Sequence, residues 1–176
     1  MLSNSSKYAI NAVLYLALHS SIENKKGVKE ISEALHIPTA FLAKLLQILA
    51  KKNAICSAKG PGGGFYLTEE KMKAPLATIV HHIDGVDKFS VCFLGIRACS
   101  EETPCPMHYA VKPFKEEFLR ELEKHDIEYF ADKIRKGEAY LIVWYNLFKK
   151  IYFFLVILQQ KLYICARKNF YRKEIN

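Results

Sequence analysis

The sequence predicts a mainly α fold with a small β wing: three helices closed by a glycine-rich hairpin, then a long amphipathic helix. Three observations carry that expectation. Apolar residues recur at helical spacing in three segments before residue 53. Two short β-type runs flank Lys59-Gly-Pro-Gly-Gly-Gly64. A further helical stripe begins near Met107. The chain has 176 residues, 51% apolar and 25% charged, a globular balance that excludes disordered and fibrous classes.

The elements follow in order. Residues 5–19 place apolar groups at 9, 10, 12, 13, 16 and 17, with Ser5 or Ser6 available as cap. A polar break, Ser20 to Gly27, precedes a short amphipathic helix over 28–35, which shows Val28, Ile31, Ala34 and Leu35 on one face. His36-Ile37-Pro38 ends it. Pro38 has no amide hydrogen and a fixed φ, so it suits the first turn of a new helix running to about Lys52. That helix is expected to bury Phe41, Leu42, Leu45, Leu46 and Leu49. Two such helices joined by a tight turn read as a helix-turn-helix. The runs 54–58 and 65–68, separated by the glycine-rich tip, complete a winged head. A phosphate-binding loop would need a helix after the glycines, and Phe65-Tyr66-Leu67 argues for a strand instead.

Residues 75–84 read as a connecting helix closed by Gly85, and 88–108 as an irregular loop. From Met107 to about Lys124 the stripe Val111, Phe114, Phe118 and Leu122 wants a partner. A last helix near Ile127 to Lys136 stops at Gly137. This divides the chain into a head (1–74), a connecting and stem region (75–137, with its loop at 90–108) and an apolar, basic tail (138–176).

The net charge of +8 is unevenly spread: basic groups exceed acidic ones in 1–75 and 138–176, while 76–137 is mildly acidic. A basic head suits a polyanion. The tail holds two apolar blocks, 140–148 and 151–158, separated by Lys149-Lys150. Read as one span, it would put both lysines in mid-bilayer at about 2.5–3.5 kcal/mol each. Each block alone is shorter than the ~18–20 residues a span needs. A membrane-surface helix, an oligomer contact and an appended extension stay open for it. No export signal is evident at the start, so a reducing cytoplasm is expected.

Three of the five cysteines fall within fourteen residues, in the pattern Cys92-x6-Cys99-x5-Cys105-x2-His108. Three thiols and an imidazole on a turn-rich loop form a donor set that zinc and iron–sulfur clusters both accept. Structural zinc usually shows tight Cys-x2–4-Cys knuckles, which are missing, so the wide gaps favour iron–sulfur over zinc. Against this stands the plain reading of three loop cysteines and a histidine that merely opens a helix. Cys56 and Cys165 are read as packing residues, and His19, His36, His81 and His82 stay unassigned.

This order of helix-turn-helix, Lys59-Gly-Pro-Gly-Gly-Gly-Phe-Tyr-Leu67, Ile83-Asp84-Gly85 and three cysteines before a long helix resembles the iron–sulfur cluster regulators and nitric-oxide-sensitive repressors (IscR/NsrR-like). The likeness covers residues 1 to about 141. It implies a homodimer built on the long helix, each protomer offering its winged head to a half-site of a double-stranded DNA operator. It also implies that Cys92, Cys99, Cys105 and His108 hold a cluster whose state tunes DNA binding, with 2Fe–2S placed ahead of 4Fe–4S and zinc as the alternative. The nitric-oxide-sensing branch can use an N-terminal aspartate. This chain has no acidic residue before Glu23, which favours the histidine. The six-residue first gap departs from the familiar five, and the tail lies beyond the usual family length.

With the leucines of the second head helix turned inward, Thr39, Ala40, Lys44 and Gln47 are expected to face the major groove. Lys59 would enter the minor groove, with Gly60, Pro61 and Gly62 letting the backbone approach. No nucleophile–base pair or carboxylate dyad can be placed, so an enzyme is not expected. The rival readings are a zinc- or thiol-redox-dependent regulator and a cluster carrier or electron-transfer protein.

Overall fold

The computed structural model describes residues 2–95 and 100–141. Its first helix, α1 (Asn4–His19), is the axis of the core. The cap is Ser3, whose Oγ accepts from the Ser6 amide at 3.0 Å. Ser6 is instead fully buried, so the expected Ser5 or Ser6 cap is corrected: the helix starts earlier, at Asn4. Residues 12–17 are all buried, more than the single apolar stripe the sequence shows. Helices pack against α1 on several sides, and its alanines let them come close.

Helix α2 (Val28–Leu35) ends where His36 adopts a left-handed conformation, φ 54°. Pro38 is the cap of α3 (Thr39–Lys51), just outside the first turn expected for it, and its carbonyl accepts from Phe41 and Leu42. The two helices turn through 118°, a helix-turn-helix angle. Ser32 pins the corner, with its Oγ 2.7 Å from both the Ile37 carbonyl and the Thr39 hydroxyl. Leu42, Leu45, Leu46 and Leu49 are buried as expected. Phe41 is not. It lies 37% exposed with its ring edge against Tyr8, because position 41 falls at the margin of the stripe that α1 covers.

Strands β1 (Cys56–Ala58) and β2 (Gly64–Tyr66) pair antiparallel, Ala58 opposite Gly64. A third piece joins them from the expected polar break: Lys26 exchanges two 2.9 Å backbone hydrogen bonds with Phe65. The run expected as strand to Thr68 stops earlier. Thr68 caps a four-residue helix, α4 (Glu69–Met72), accepting from the Lys71 amide.

Helix α5 (Ala77–Asp84) is closed by Gly85 at φ 90°, and a 3-10 turn over Val86–Phe89 follows. Helix α6 (His108–Lys124) carries Pro113 in its second turn, and α7 (Ile127–Arg135) is capped by Asp126. Leu122 is buried and Phe118 meets Phe89, while Phe114 remains 62% exposed. Helix α7 returns to α1, where Arg135 donates to the Ala17 carbonyl at 3.0 Å. Among the described residues no single helix is long and apolar enough to cross a membrane. Cys99, Cys165 and the tail beyond residue 141 lie outside the described residues, so the readings made for them have no structural counterpart.

Candidate functional site

Two surfaces gather the residues singled out by the sequence. The first is the free face of α3. Thr39, Ala40, Lys44 and Gln47 are all exposed, opposite the buried leucines. Their spacing puts Ala40, Lys44 and Gln47 along one stripe. The Thr39 hydroxyl is partly committed, because it shares a hydrogen bond with Ser32 that fixes how α3 leaves the turn. In the wing, Lys59, Gly60, Pro61 and Gly62 are exposed, and Gly60 and Gly62 sit at φ 90° and 74°, where a side chain would be strained. The hairpin also depends on two glycines not singled out beforehand. A Cβ on Gly63 would stand 2.4 Å from the Ala58 carbonyl oxygen, and one on Gly64 2.7 Å from that of Lys26.

The second surface is a cavity of about 340 Å³, open on one side, between the cysteine loop and α6. Cys92, Cys105 and His108 all line it, with Phe89, Val111 and Leu119 as apolar wall. The local sequence places each donor. Gly85 and the 3-10 turn swing the chain back so that Cys92 lies buried, 5% exposed, and Lys115 of α6 clamps the neighbouring Val91 carbonyl at 2.6 Å. The Cys105 carbonyl accepts from the His108 amide at 2.9 Å, which joins the loop directly to the first residue of α6.

His108 is 8% exposed, and its Nε2 is buried without a hydrogen-bond partner among the described residues. Glu101 Oε1 stands 3.6 Å from that nitrogen, just beyond hydrogen-bond length. Glu101 is also paired with Lys112. A hydrogen bond from Lys112, its charge, and then His108 together pull the Glu101 carboxyl below the ordinary glutamate range. Neither Glu101 nor Lys112 was among the expected site residues. Only the spacing His108–Lys112 on one helix face hinted that a carboxylate could bridge there.

Among the described residues, no three His, Cys, Asp or Glu side chains stand at metal-ligating separation as they are. Cys92, Cys105 and His108 share a cavity rather than a coordination sphere. The chemistry nevertheless fits a multi-atom inorganic centre. Cys92, Cys105 and a buried histidine line a space more than ten times the ~30 Å³ of one water. Cys56, half-buried in β1, does not line this cavity.

Residues 2–133 match the Rrf2 family, described as iron-dependent transcriptional regulators. The chain belongs to the Rrf2 family. Its members are transcriptional regulators rather than enzymes, and a DNA-binding role comes with the family. A candidate helix-turn-helix regulator of Aquifex aeolicus is 35% identical over 64% of this chain and 78% of its own length. The regulator IscR of Vibrio campbellii is 31% identical over 61% of this chain, a stretch that is 62% of the relative. Two solved structures share the Rrf2 fold. CymR, the global cysteine regulator of B. subtilis, has a TM-score of 0.60 at 17% identity and covers 75% of this chain and 96% of its own. T. potens IscR also has a TM-score of 0.60, at 18% identity, covering 80% and 92%.

One further group in this Rrf2 chain responds to pH. His82 on α5 is held below its ordinary value by burial first, then by the positive charges of Lys52 and His81. A lowered histidine is neutral in the fold while the unfolded chain still takes up a proton. Stability is therefore complete above about pH 6.5 and falls as the pH drops through that value toward the lowered native one. His82→Gln should flatten this acid-side slope. Urea midpoints at pH 8 and pH 5.5 for both proteins check it, and an unchanged slope would remove His82 as the source.

Proposed function

We propose that this protein is a homodimeric transcription regulator whose grip on a double-stranded DNA operator is tuned by an iron–sulfur centre held by Cys92, Cys99, Cys105 and His108. One observation carries the reading: Cys92, Cys105 and the buried His108 imidazole line one cavity at the foot of α6. Its volume suits a cluster better than a bare zinc ion, and the wide cysteine gaps agree. The centre is placed as 2Fe–2S ahead of 4Fe–4S. When bound, such a centre supplies metal–sulfur bonds that iron shortage, oxidation or nitric oxide can break.

The chain's own residues supply the coupling. Phe89, just before the loop, packs on Phe118, and Lys115 holds the Val91 carbonyl, so an ordered loop is fastened to α6. On the other side, Asp84 ends α5 beside the Gly85 hinge and accepts from the Ser3 amide (3.1 Å) and hydroxyl (2.5 Å). That carboxylate sits at the positive N-terminal end of α1, so the root of the loop is hydrogen-bonded to the axis of the head. The exposed Phe114 and Tyr109 on α6 support a stem on which two copies pair, setting the spacing of their heads. Residues 1–74 then act as the DNA-binding unit and 75–137 as sensor and stem, in a reducing cytoplasm.

On DNA, Thr39, Ala40, Lys44 and Gln47 would read the major groove, while Lys59 with Gly60, Pro61 and Gly62 enters the minor groove. Lys59→Ala should weaken operator binding and lower the slope of log affinity against log salt by about one. An unchanged slope removes Lys59 from the contacts. The reading as a whole is tested on protein purified without oxygen. A brown protein with iron and sulfide that binds specific genomic fragments supports it. A colourless zinc protein, or one without metal even after reconstitution, overturns the cluster and leaves a DNA-binding regulator with another trigger.

A further inference from the structure

We propose that Glu101 is a positioning residue for His108, its carboxylate fixing the imidazole so that the ring is ready for the inorganic centre. This rests on the cluster reading above. The histidine is the one donor in the set that must choose a ring nitrogen, because its two tautomers present different lone pairs. Metal-binding histidines commonly donate their other N–H to a carboxylate, which sets the tautomer, orients the ring and raises its basicity.

The geometry supplies such a carboxylate. His108 is more than nine-tenths buried, its Nε2 has no hydrogen-bond partner among the described residues, and the Glu101 Oε1 stands 3.6 Å away. A modest side-chain rotation brings the two into hydrogen-bond range. The carboxylate is itself fixed. Lys112, one helical turn beyond His108 on α6, pairs with the same Oε1. In this arrangement Lys112 holds Glu101, Glu101 holds His108, and His108 faces the cavity shared with Cys92 and Cys105. Glu101 lies on the stretch between Cys99 and Cys105, so the same loop carries two of the candidate donors and the carboxylate that faces His108.

The test uses the full-length chain and two readouts. In metal-free protein, the nitrogen shifts of His108 show which ring nitrogen carries the proton. The wild type should be dominated by the Nε2–H form, and Glu101→Ala should mix the two forms. Cobalt(II) titration without oxygen then reads affinity through thiolate-to-cobalt absorbance. Glu101→Ala should lose about tenfold or more. Glu101→Gln, which keeps an acceptor oxygen, should lose only a few-fold. Lys112→Met removes the anchor but keeps the carboxylate, so it too should lose only a few-fold. The Glu101 side chain is more than half exposed, so the fold tolerates these changes.

Unchanged tautomers or unchanged cobalt affinity in Glu101→Ala would overturn the proposal. So would a Lys112→Met loss as large as that of Glu101→Ala, since the ion pair would then matter only as a strap across the loop. In each of those cases a wild type that takes up cobalt and reconstitutes with iron and sulfide leaves the parent reading intact. A wild type that takes up neither overturns both.

Discussion

If the proposed iron–sulfur centre is held as inferred, replacing Cys92 by alanine should abolish it and leave operator affinity the same whether or not iron and sulfide are supplied. Cys92 is the most buried of the described thiols in the cavity, at 5% exposure, and lies next to the Val91 carbonyl that Lys115 holds. Alanine removes only the sulfur atom, so the iron and sulfide content reads its ligation directly. Removing one thiolate from a four-donor set leaves a site that cannot complete its coordination. Iron and sulfide per chain should fall to background, and gel-shift affinities with and without reconstitution should coincide. Cys56→Ala is the control, since Cys56 lies on β1 and does not line the cavity; it should keep the full iron content. Iron retained by Cys92→Ala at the wild-type level would remove Cys92 from the ligands.

Leu46→Ala is expected to have the largest effect on stability, about 2–5 kcal/mol. Leu46 is completely buried on α3, in the cluster it shares with α1. Truncation leaves a cavity at the junction that holds the helix-turn-helix to the core. Set against a typical stability of about 5–15 kcal/mol, this is a large share, and the melting temperature should drop by roughly 2–4 °C for each kcal/mol. The adjacent Gln47 makes the contrast. It is exposed on the opposite face, so Gln47→Ala should move stability by no more than about 0.5 kcal/mol while weakening operator binding. A denaturant series on both variants checks the pair. Equal destabilisation would mean that α3 does not divide into a buried face and a free one.

The head was legible because its signals are local. Helices α2 and α3 lie where the periodicity puts them, the wing where the glycines and β-type residues put it, and α7 ends at the expected Gly137. The misses have one character. Helix α4 is four residues long, too short for a period to show, and only Thr68 as a capping residue marks it. Phe41 has the polarity of a core residue, yet its burial depended on where α1 happened to end its cover. Lys26 sits in a segment that reads as a polar break, but its backbone pairs with Phe65, some forty residues away. Glu101 carries no local signal in the sequence, and only the fold sets it beside His108.

The sequence by itself therefore determined the kinds of element, the candidate donors and the family pattern, since each of these follows from side-chain type and short-range spacing. Only the tertiary structure decided that three donors from two segments share one cavity, that Asp84 ties the root of the loop to the start of α1, and that α7 returns to cover the same helix. The reason is physical. A periodic stripe states that a face must be buried, but the hydrophobic effect has no direction, so the partner that buries it is chosen by how all the helices pack together.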